Sequence, residues 1–256
     1  MAEQRMFDEV LRAFGRGDID EAAAEARILE LFYKSQEHFL LDLEREQRLG
    51  FPEVVYAEGK QMADLLEIVG RLLEAKGKVY IASLSPEAES RLQETFHSHG
   101  IRVGGRAMVI GSGNGATPEL GVVGVITAGT SDVPYAQECV LLLEELGARV
   151  IKSFDAGVAG IHRPAMSLRK MQDASVLVVF AGMEGALPTV LASLTDLPVV
   201  AVPTPIGYGF GGQGEGALKT MLQSCSPGVT VVNIGNSVGA AAAAIRILRA
   251  INRGRE

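Results

Sequence analysis

Five short, largely apolar runs in the second half of this chain constrain its fold more than any other feature. They occupy residues 122–126, 149–152, 175–180, 198–202 and 229–232. Apolar runs of this length are typical of strands covered on both faces, and helical stretches such as residues 135–146 alternate with them. The pattern predicts an α/β fold with a parallel sheet covered on both faces, and hence three layers.

The first half of the chain reads as a smaller α/β unit. Two acidic, alanine-rich helices are predicted near residues 4–14 and 20–32. Apolar residues between positions 62 and 73 recur at helical spacing, and Gly77 is expected to end that helix. A strand is predicted at residues 79–81, and Ser85 followed by Pro86 is typical of a capped helix start.

The segment 111–115 contains three glycines and predicts a linker between the two units. We therefore place the domains at residues 1–115 and 116–256, with the catalytic unit second.

Composition excludes several classes of partner and compartment. The net charge of −7 argues against nucleic acid and anionic membranes as partners, and no apolar run reaches the length of a membrane span. The acidic amino terminus lacks the pattern of a signal peptide, so a cytoplasmic protein is expected. Cys139 and Cys225 lie far apart without a metal-ligand pattern, which predicts two free thiols.

In an open parallel sheet, ligands bind outside the carboxyl ends of the strands. Each predicted strand here is followed by a loop of small or functional residues, at 127–132, 155–157, 181–184, 203–205 and 233–236. The sequence therefore predicts a ligand site at this edge of the sheet.

Glu184 and Cys225 are the residues whose chemistry is most unusual for this glycine-rich, weakly charged region. A carboxylate in apolar surroundings is a candidate proton carrier, and a free thiol is a candidate nucleophile. Together they indicate covalent chemistry with proton transfer. Cys225 as a structural thiol is the alternative, and Cys139, inside an apolar helical run, is expected to be an inert core residue.

Other candidate residues have two interpretations each. Ser131 and Asp132 either cap the helix that follows or accompany a phosphate-binding helix start. His162 and Arg163 either bind phosphate and move protons or lie on a solvated helix face. The glycine-rich segment 207–216 is predicted to cover the ligand, with a flexible linker as the alternative.

Five strings carry a family resemblance that covers nearly the whole chain. They are GFPEVVYAEGK, ITAGTSDVPYA, DAGVAGIHR, AGMEGALPTV and MLQSCSPGVTVVNIGN. Together they resemble the LarB family, the carboxylases of nickel-pincer nucleotide biosynthesis, whose carboxy-terminal domain is similar to the PurE-type aminoimidazole ribonucleotide mutases. The resemblance implies a flavodoxin-like catalytic domain and a symmetric homo-octamer.

The resemblance also implies a substrate and a reaction. The substrate would be nicotinic acid adenine dinucleotide, carboxylated at pyridine C5 by carbon dioxide or bicarbonate. Cleavage of its phosphoanhydride would then give pyridinium-3,5-biscarboxylic acid mononucleotide and AMP. Mg²⁺ is the expected cofactor for the cleavage, because a divalent cation can bridge phosphate oxygens.

The resemblance also implies roles for particular residues of this chain. Cys225 would add to pyridine C4 and make C5 nucleophilic, and Glu184 would transfer the proton, with Asp132 and His162 as alternatives. Substrate contacts are predicted at Thr130, Ser131, Asp155, Arg163, Gly182, Met183, Gly211, Gly212 and Asn236. No metal ligands are predicted.

One departure from the family pattern bears on the second reaction. Gly235 stands where an aspartate is typical, and Ser237 with Val238 stands where a glycine and an aromatic residue are typical. Two other functions stay open on the residues alone, a PurE-type mutase or carboxylase without a nucleophilic thiol, and a noncatalytic nucleotide-binding protein.

Overall fold

The computed structural model describes residues 8–32, 34–35, 40–41, 45–111 and 120–254. The predicted domain boundary near residue 115 lies outside these ranges and stays a prediction. Among the described residues, no helix is both long enough and apolar enough to cross a bilayer.

The first half forms a small α/β unit, as predicted. The stripe of apolar residues between positions 62 and 73 lies on one helix, which Gly77 ends with a φ of 70°. The side chain of Ser85 accepts a hydrogen bond from the amide of Ala88 at 3.1 Å, which confirms the predicted cap. The elements are α1 (Asp8–Gly15), α2 (Glu21–Phe32), β1 (Lys34–Ser35), β2 (Leu40–Leu41), α3 (Arg45–Leu49), β3 (Val54–Tyr56), α4 (Met62–Lys76), β4 (Val79–Ala82), α5 (Pro86–Thr95), β5 (Ile101–Gly104) and β6 (Ala107–Ile110).

The strands of this unit form a four-stranded mixed sheet in the order β3-β4-β6-β5. β3 pairs with β4 in parallel, whereas β6 is antiparallel to both of its neighbours. Every residue of β4 and β6 is buried, because α4 and α5 cover one face and the second half of the chain covers the other.

The second half is a doubly wound α/β domain. Its elements are β7 (Gly121–Thr127), α6 (Val133–Glu145), β8 (Ala148–Ser153), α7 (His162–Lys170), β9 (Val176–Ala181), α8 (Leu187–Ala192), β10 (Val199–Pro203), α9 (Glu215–Leu222), β11 (Val229–Val231) and α10 (Ser237–Arg253). All five strands are parallel, in the order β11-β10-β9-β7-β8.

This strand order is the flavodoxin-like one, and it makes three layers. Helices α6 and α10 share a core with one face of the sheet, while α7, α8 and α9 share a core with the other. The five predicted strands and the parallel, flavodoxin-like fold class are confirmed. Chain order reverses between β7 and β9, and such a point opens a crevice between the loops that leave adjacent strands in opposite directions.

The two units share a continuous core across α6. Tyr80 and Val109 of the first sheet belong to the same apolar cluster as Cys139 and Val140 of α6. At Gly105, with a φ of 62°, an added Cβ would lie 2.1 Å from the carbonyl oxygen of Pro134. This close approach presses the β5–β6 turn against the first turn of α6.

Glu138 of α6 is the carboxyl buried at this junction, with 1% of its surface exposed. Its Oε1 accepts a hydrogen bond from the amide of Ser83 at 3.3 Å, and its Oε2 has no partner among the described residues. Burial raises the pKa of Glu138 to about 7, although the charge of Arg106 acts in the opposite direction. The junction therefore favours a protonated Glu138.

We expect Glu138→Gln to be more stable than the wild type above pH 7. The pKa of Glu138 in the folded state, about 7, exceeds its ordinary value of 4.5, so the folded state holds the proton more tightly. Stability contributed by this group is therefore lost as pH rises between these two values. Glutamine stays neutral and removes this dependence. Urea unfolding at a series of pH values measures it.

The matched control for this experiment is Glu94→Gln, because Glu94 is a solvent-exposed carboxylate paired with Arg91 at 3.3 Å. An equal change in the pH profile of both variants would contradict the role given to burial of Glu138.

Candidate active site

A cleft of about 580 Å³ lies at the carboxyl edge of the parallel sheet, at the switch point between β7 and β9. The residues lining it are 128–132, 155, 157–159, 181–184, 186–187 and 206–208. They come from the loops after β7, β8, β9 and β10, and α6 begins beside them. Its volume suits a ligand of nucleotide size, and a helix start favours anionic groups.

Asp132 is buried in the wall of this cleft, with 3% of its surface exposed. Its Oδ1 accepts a hydrogen bond from the hydroxyl of Thr204 at 2.5 Å, and its Oδ2 accepts one from the amide of Gly129 at 2.8 Å. Burial raises the pKa of Asp132, and these donors, with the amide of Gly182, oppose the rise. Asp132 therefore has two roles. Its carboxyl group stabilises the turn before α6 through the amide of Gly129, and it supplies a protonatable group to the wall of the cleft.

Thr204 is a site residue to which the sequence assigned no role. It follows β10, is fully buried, and donates to the carboxyl of Asp132. Its position at the carboxyl end of a predicted strand was the available signal. That signal could not show that Thr204 pairs with Asp132, which lies 72 positions away in the sequence.

Backbone strain concentrates around the cleft. Among the described residues, the non-glycine residues with positive φ are Ser83, Asp155, Met183 and Gln213. Asp155 (φ 59°) and Met183 (φ 51°) line the cleft, and Gln213 belongs to the glycine-rich segment beside it. Strained residues of this kind persist where packing holds them and are concentrated at functional sites.

Gly182 lets the loops after β9 and β10 approach closely. An added Cβ would lie 2.2 Å from the carbonyl oxygen of Ile206 and 2.8 Å from the hydroxyl of Thr204. The amide of Met183 donates to the same Ile206 carbonyl at 2.7 Å. The close packing of these two loops therefore requires a glycine at position 182.

Glu184 lines the cleft but is exposed, so the apolar surroundings expected from the sequence are not found. It lies in a tight turn in which the amide of Gly185 donates to the carbonyl of Gly182 at 2.9 Å. Gly185 packs against α9, because an added Cβ would lie 2.7 Å from the Cα of Ala217. This turn holds a carboxylate at the rim of the cleft.

Five of the predicted substrate contacts also line the cleft: Thr130, Ser131, Asp155, Gly182 and Met183.

His162 and Arg163 begin α7 and do not line the cleft, and both are exposed. Arg163 nevertheless contacts a residue that lines the cleft, because its Nη1 lies 3.3 Å from Oδ2 of Asp155. The structure therefore places the guanidinium group of Arg163 beside the cleft, whereas His162 does not line the cleft.

The remaining predicted substrate contacts, Gly211, Gly212 and Asn236, are not lining residues either. Asn236 caps α10, since its side chain accepts a hydrogen bond from the amide of Gly239 at 2.7 Å. The glycine-rich segment does reach the cleft through Gly207 and Tyr208.

Cys225 lies at the other edge of the sheet. It is exposed and follows α9 in the loop before β11. Gly228 of the same loop accepts a hydrogen bond from the amide of Val199, the first residue of β10, at 3.0 Å. The hydroxyl of its neighbour Ser224 accepts a hydrogen bond from Thr189 of α8 at 2.9 Å. Cys225 is not among the residues that line the cleft, whereas Glu184 is.

The described part of the chain contains no group of three His, Cys, Asp or Glu side chains arranged to hold a metal ion.

Comparison with known proteins agrees with this fold. A model of AIR carboxylase matches residues 122–254, and a model of the LarB/PurE-like N-terminal domain matches residues 33–112. An uncharacterized protein of Methanocaldococcus jannaschii is 39% identical over 91% of this chain and 93% of its own length.

Named relatives match about half of this chain. N5-carboxyaminoimidazole ribonucleotide mutases of Methanocaldococcus jannaschii and Pyrococcus horikoshii are 33% and 34% identical over 48% and 51% of this chain, which is 74% and 73% of their own lengths.

Fold, cleft and domain order thus define an enzyme of the carboxylase or mutase type. The chain belongs to the AIR carboxylase family, in the LarB-type architecture that adds a LarB/PurE-like amino-terminal domain.

Proposed function

We propose that this protein carboxylates nicotinic acid adenine dinucleotide at pyridine C5 through a cysteine adduct, and then hydrolyses the phosphoanhydride. The products are pyridinium-3,5-biscarboxylic acid mononucleotide and AMP. The observation that carries the proposal is the carboxylate of Glu184 on the rim of the cleft, in a domain joined to a LarB/PurE-like amino-terminal domain.

The charges around the cleft support a substrate with both cationic and anionic parts. Glu184 offers negative charge at the rim, which favours a pyridinium ring. Arg163, beside Asp155, and the start of α6 offer positive potential for phosphates or a carboxylate.

The proposed carboxylation balances without a redox partner. The thiolate of Cys225 forms a bond to C4 of the pyridinium, and the electron pair displaced onto the ring nitrogen leaves a neutral dihydropyridine. Carbon C5 of this enamine then attacks carbon dioxide and forms a carbon–carbon bond. Loss of the C5 proton and expulsion of the thiolate restore the aromatic cation.

Glu184 is the proposed acceptor of the C5 proton, because it is an exposed carboxylate that lines the cleft, whereas the exposed carboxylate of Asp155 is paired with Arg163 at 3.3 Å. Asp132, whose pKa burial raises, is the second group placed to exchange a proton with a bound ligand. His162 stays a weaker candidate because it lies outside the wall.

The test is incubation of the purified protein with the dinucleotide and bicarbonate, followed by mass spectrometry. AMP and a mononucleotide that carries one additional carboxylate are the expected products. An intact dinucleotide after prolonged incubation would overturn the proposal.

The second candidate function is that of the named relatives, an N5-carboxyaminoimidazole ribonucleotide mutase. It is favoured by the likeness of those enzymes to about half of this chain, and by the match of the AIR carboxylase model to residues 122–254, which form the cleft. The same experiment with N5-carboxyaminoimidazole ribonucleotide as substrate separates the two, because a mutase needs no thiol and releases no AMP.

We expect a chelator to stop AMP release and to leave thiol adduct formation unchanged. The cation that assists hydrolysis would be bound mainly through substrate phosphates, since the described residues form no three-ligand group. Adduct formation needs only the pyridinium ring and Cys225. Parallel time courses of AMP and of protein mass measure the two reactions, and undiminished AMP release would exclude the metal role.

A further inference from the structure

Thr204 lies directly after β10, at the carboxyl edge of the parallel sheet, and is fully buried. Two glycines leave room for it on either side. An added Cβ at Gly182 would lie 2.8 Å from the hydroxyl oxygen of Thr204, and one at Gly214 would lie 2.8 Å from its carbonyl oxygen. The amide of Thr204 donates to the carbonyl of Ala181 at 3.0 Å. Because the branched side chain is also stiff, its hydroxyl has a fixed direction.

That hydroxyl is directed at Asp132, a carboxyl with 3% of its surface exposed. Burial alone disfavours a charged carboxyl and raises the pKa of Asp132. Hydrogen bonds to the charged form act in the opposite direction, and the hydroxyl of Thr204 is the first of these, ahead of the amides of Gly129 and Gly182. The charge of Asp132 therefore depends on a side chain that comes from a different strand.

We propose that Thr204 is a positioning residue for the reaction, whose hydroxyl holds the carboxyl of Asp132 ionised and in one orientation in the wall of the cleft. An ionised Asp132 can accept a proton or a hydrogen bond from a bound ligand, whereas a protonated one cannot accept a proton. This role rests on the proposed function, in which Asp132 is the second group placed to exchange a proton with the ligand.

Other ionisable groups face the same cleft from other loops. Among the described residues, those that line it are Asp155 after β8, Glu184 after β9 and Tyr208 after β10. Arg163 of α7 pairs with Asp155 at 3.3 Å. All four side chains are exposed, whereas Asp132 is buried. Since Glu184 also contributes to the pH dependence of turnover, the charge of Asp132 has to be measured directly.

The test is carbon-13 NMR of protein labelled at the aspartate carboxyl carbons, with the signal of Asp132 assigned by its loss in Asp132→Asn. Thr204→Val keeps the shape of the side chain and removes the hydroxyl. We expect the titration midpoint of Asp132 to move to higher pH in Thr204→Val and to return toward the wild-type value in Thr204→Ser. An unchanged midpoint in a folded Thr204→Val protein would overturn the inference.

Thr127→Val is the matched control. Thr127 is also fully buried and ends β7, but its hydroxyl oxygen accepts a hydrogen bond from the main-chain amide of Asp155 at 3.1 Å. This variant should leave the midpoint of Asp132 unchanged. An equal rise in both variants would indicate general loosening of the cleft and would also overturn the inference.

Thr204→Cys keeps the test decisive if Thr204→Val does not fold. A thiol is a weaker donor than a hydroxyl, so a smaller rise of the Asp132 midpoint is expected. An unchanged midpoint in Thr204→Cys would contradict the role given to the hydroxyl.

Turnover gives the second measurement. At pH values between the two midpoints, kcat/KM of Thr204→Val should be lower than that of the wild type by roughly tenfold, and the loss should shrink as pH rises and Asp132 ionises. Thr204→Ser should restore it. A loss that is the same at every pH would assign Thr204 to structure alone. A wild type that does not consume the dinucleotide would overturn the proposed function, while the NMR titration would still measure the effect of Thr204 on Asp132.

Discussion

Replacement of Cys225 by alanine is expected to abolish carboxylation and to leave the fold intact. The side chain is exposed and lies in a loop outside the core, so its removal costs little stability. Without the thiol, the pyridinium stays electron-poor, and binding cannot replace the missing covalent step. Turnover of the dinucleotide and circular dichroism together measure the two effects.

A pyridinium that accepts the thiolate but is not carboxylated, such as NAD, gives a second measurement. With the wild type, an increase in mass at Cys225 or a dihydropyridine absorbance is expected, and neither should form with Cys225→Ala. The control is Cys139→Ala, which removes a buried thiol. The folded fraction of this variant should retain turnover. Near-normal turnover by folded Cys225→Ala would exclude the covalent mechanism.

Replacement of Glu184 by glutamine is expected to reduce the carboxylation rate by roughly 100-fold, because glutamine keeps the shape and cannot take the C5 proton. Affinity for the dinucleotide should change much less. Titration of binding beside single-turnover kinetics separates these quantities.

Glu215→Gln is the matched control for Glu184→Gln. Glu215 is an exposed carboxylate at the start of α9, is paired with Lys219 at 3.2 Å, and does not line the cleft. It should leave both rate and affinity unchanged. A large loss of affinity in Glu184→Gln at a normal maximal rate would assign Glu184 to substrate positioning instead.

Local patterns in the sequence were sufficient to predict the fold class. The apolar runs near residues 123, 178 and 200 became buried parallel strands, because strands covered on both faces need apolar residues on both sides. Gly77 and Ser85 ended and began helices as predicted, since both signals act through neighbouring backbone groups.

The edge that carries the cleft was also predictable, because the carboxyl ends of parallel strands meet on one side. Loops after β7, β8 and β9 do line the cleft with Asp132, Asp155 and Glu184. The pairing of Thr204 with Asp132 was not predictable, since it depends on which strands are neighbours and not on any local signal.

The sequence by itself determined the elements of this protein, the edge of its sheet that binds a ligand, and the residue types available for chemistry. Only the tertiary structure decided which of those residues share the cleft: Glu184 lines it, whereas Cys225 and His162 do not. The physical reason is the order of the strands. The loops that meet at the cleft are those of strands that are neighbours in the sheet, and no local signal in the sequence gives that order.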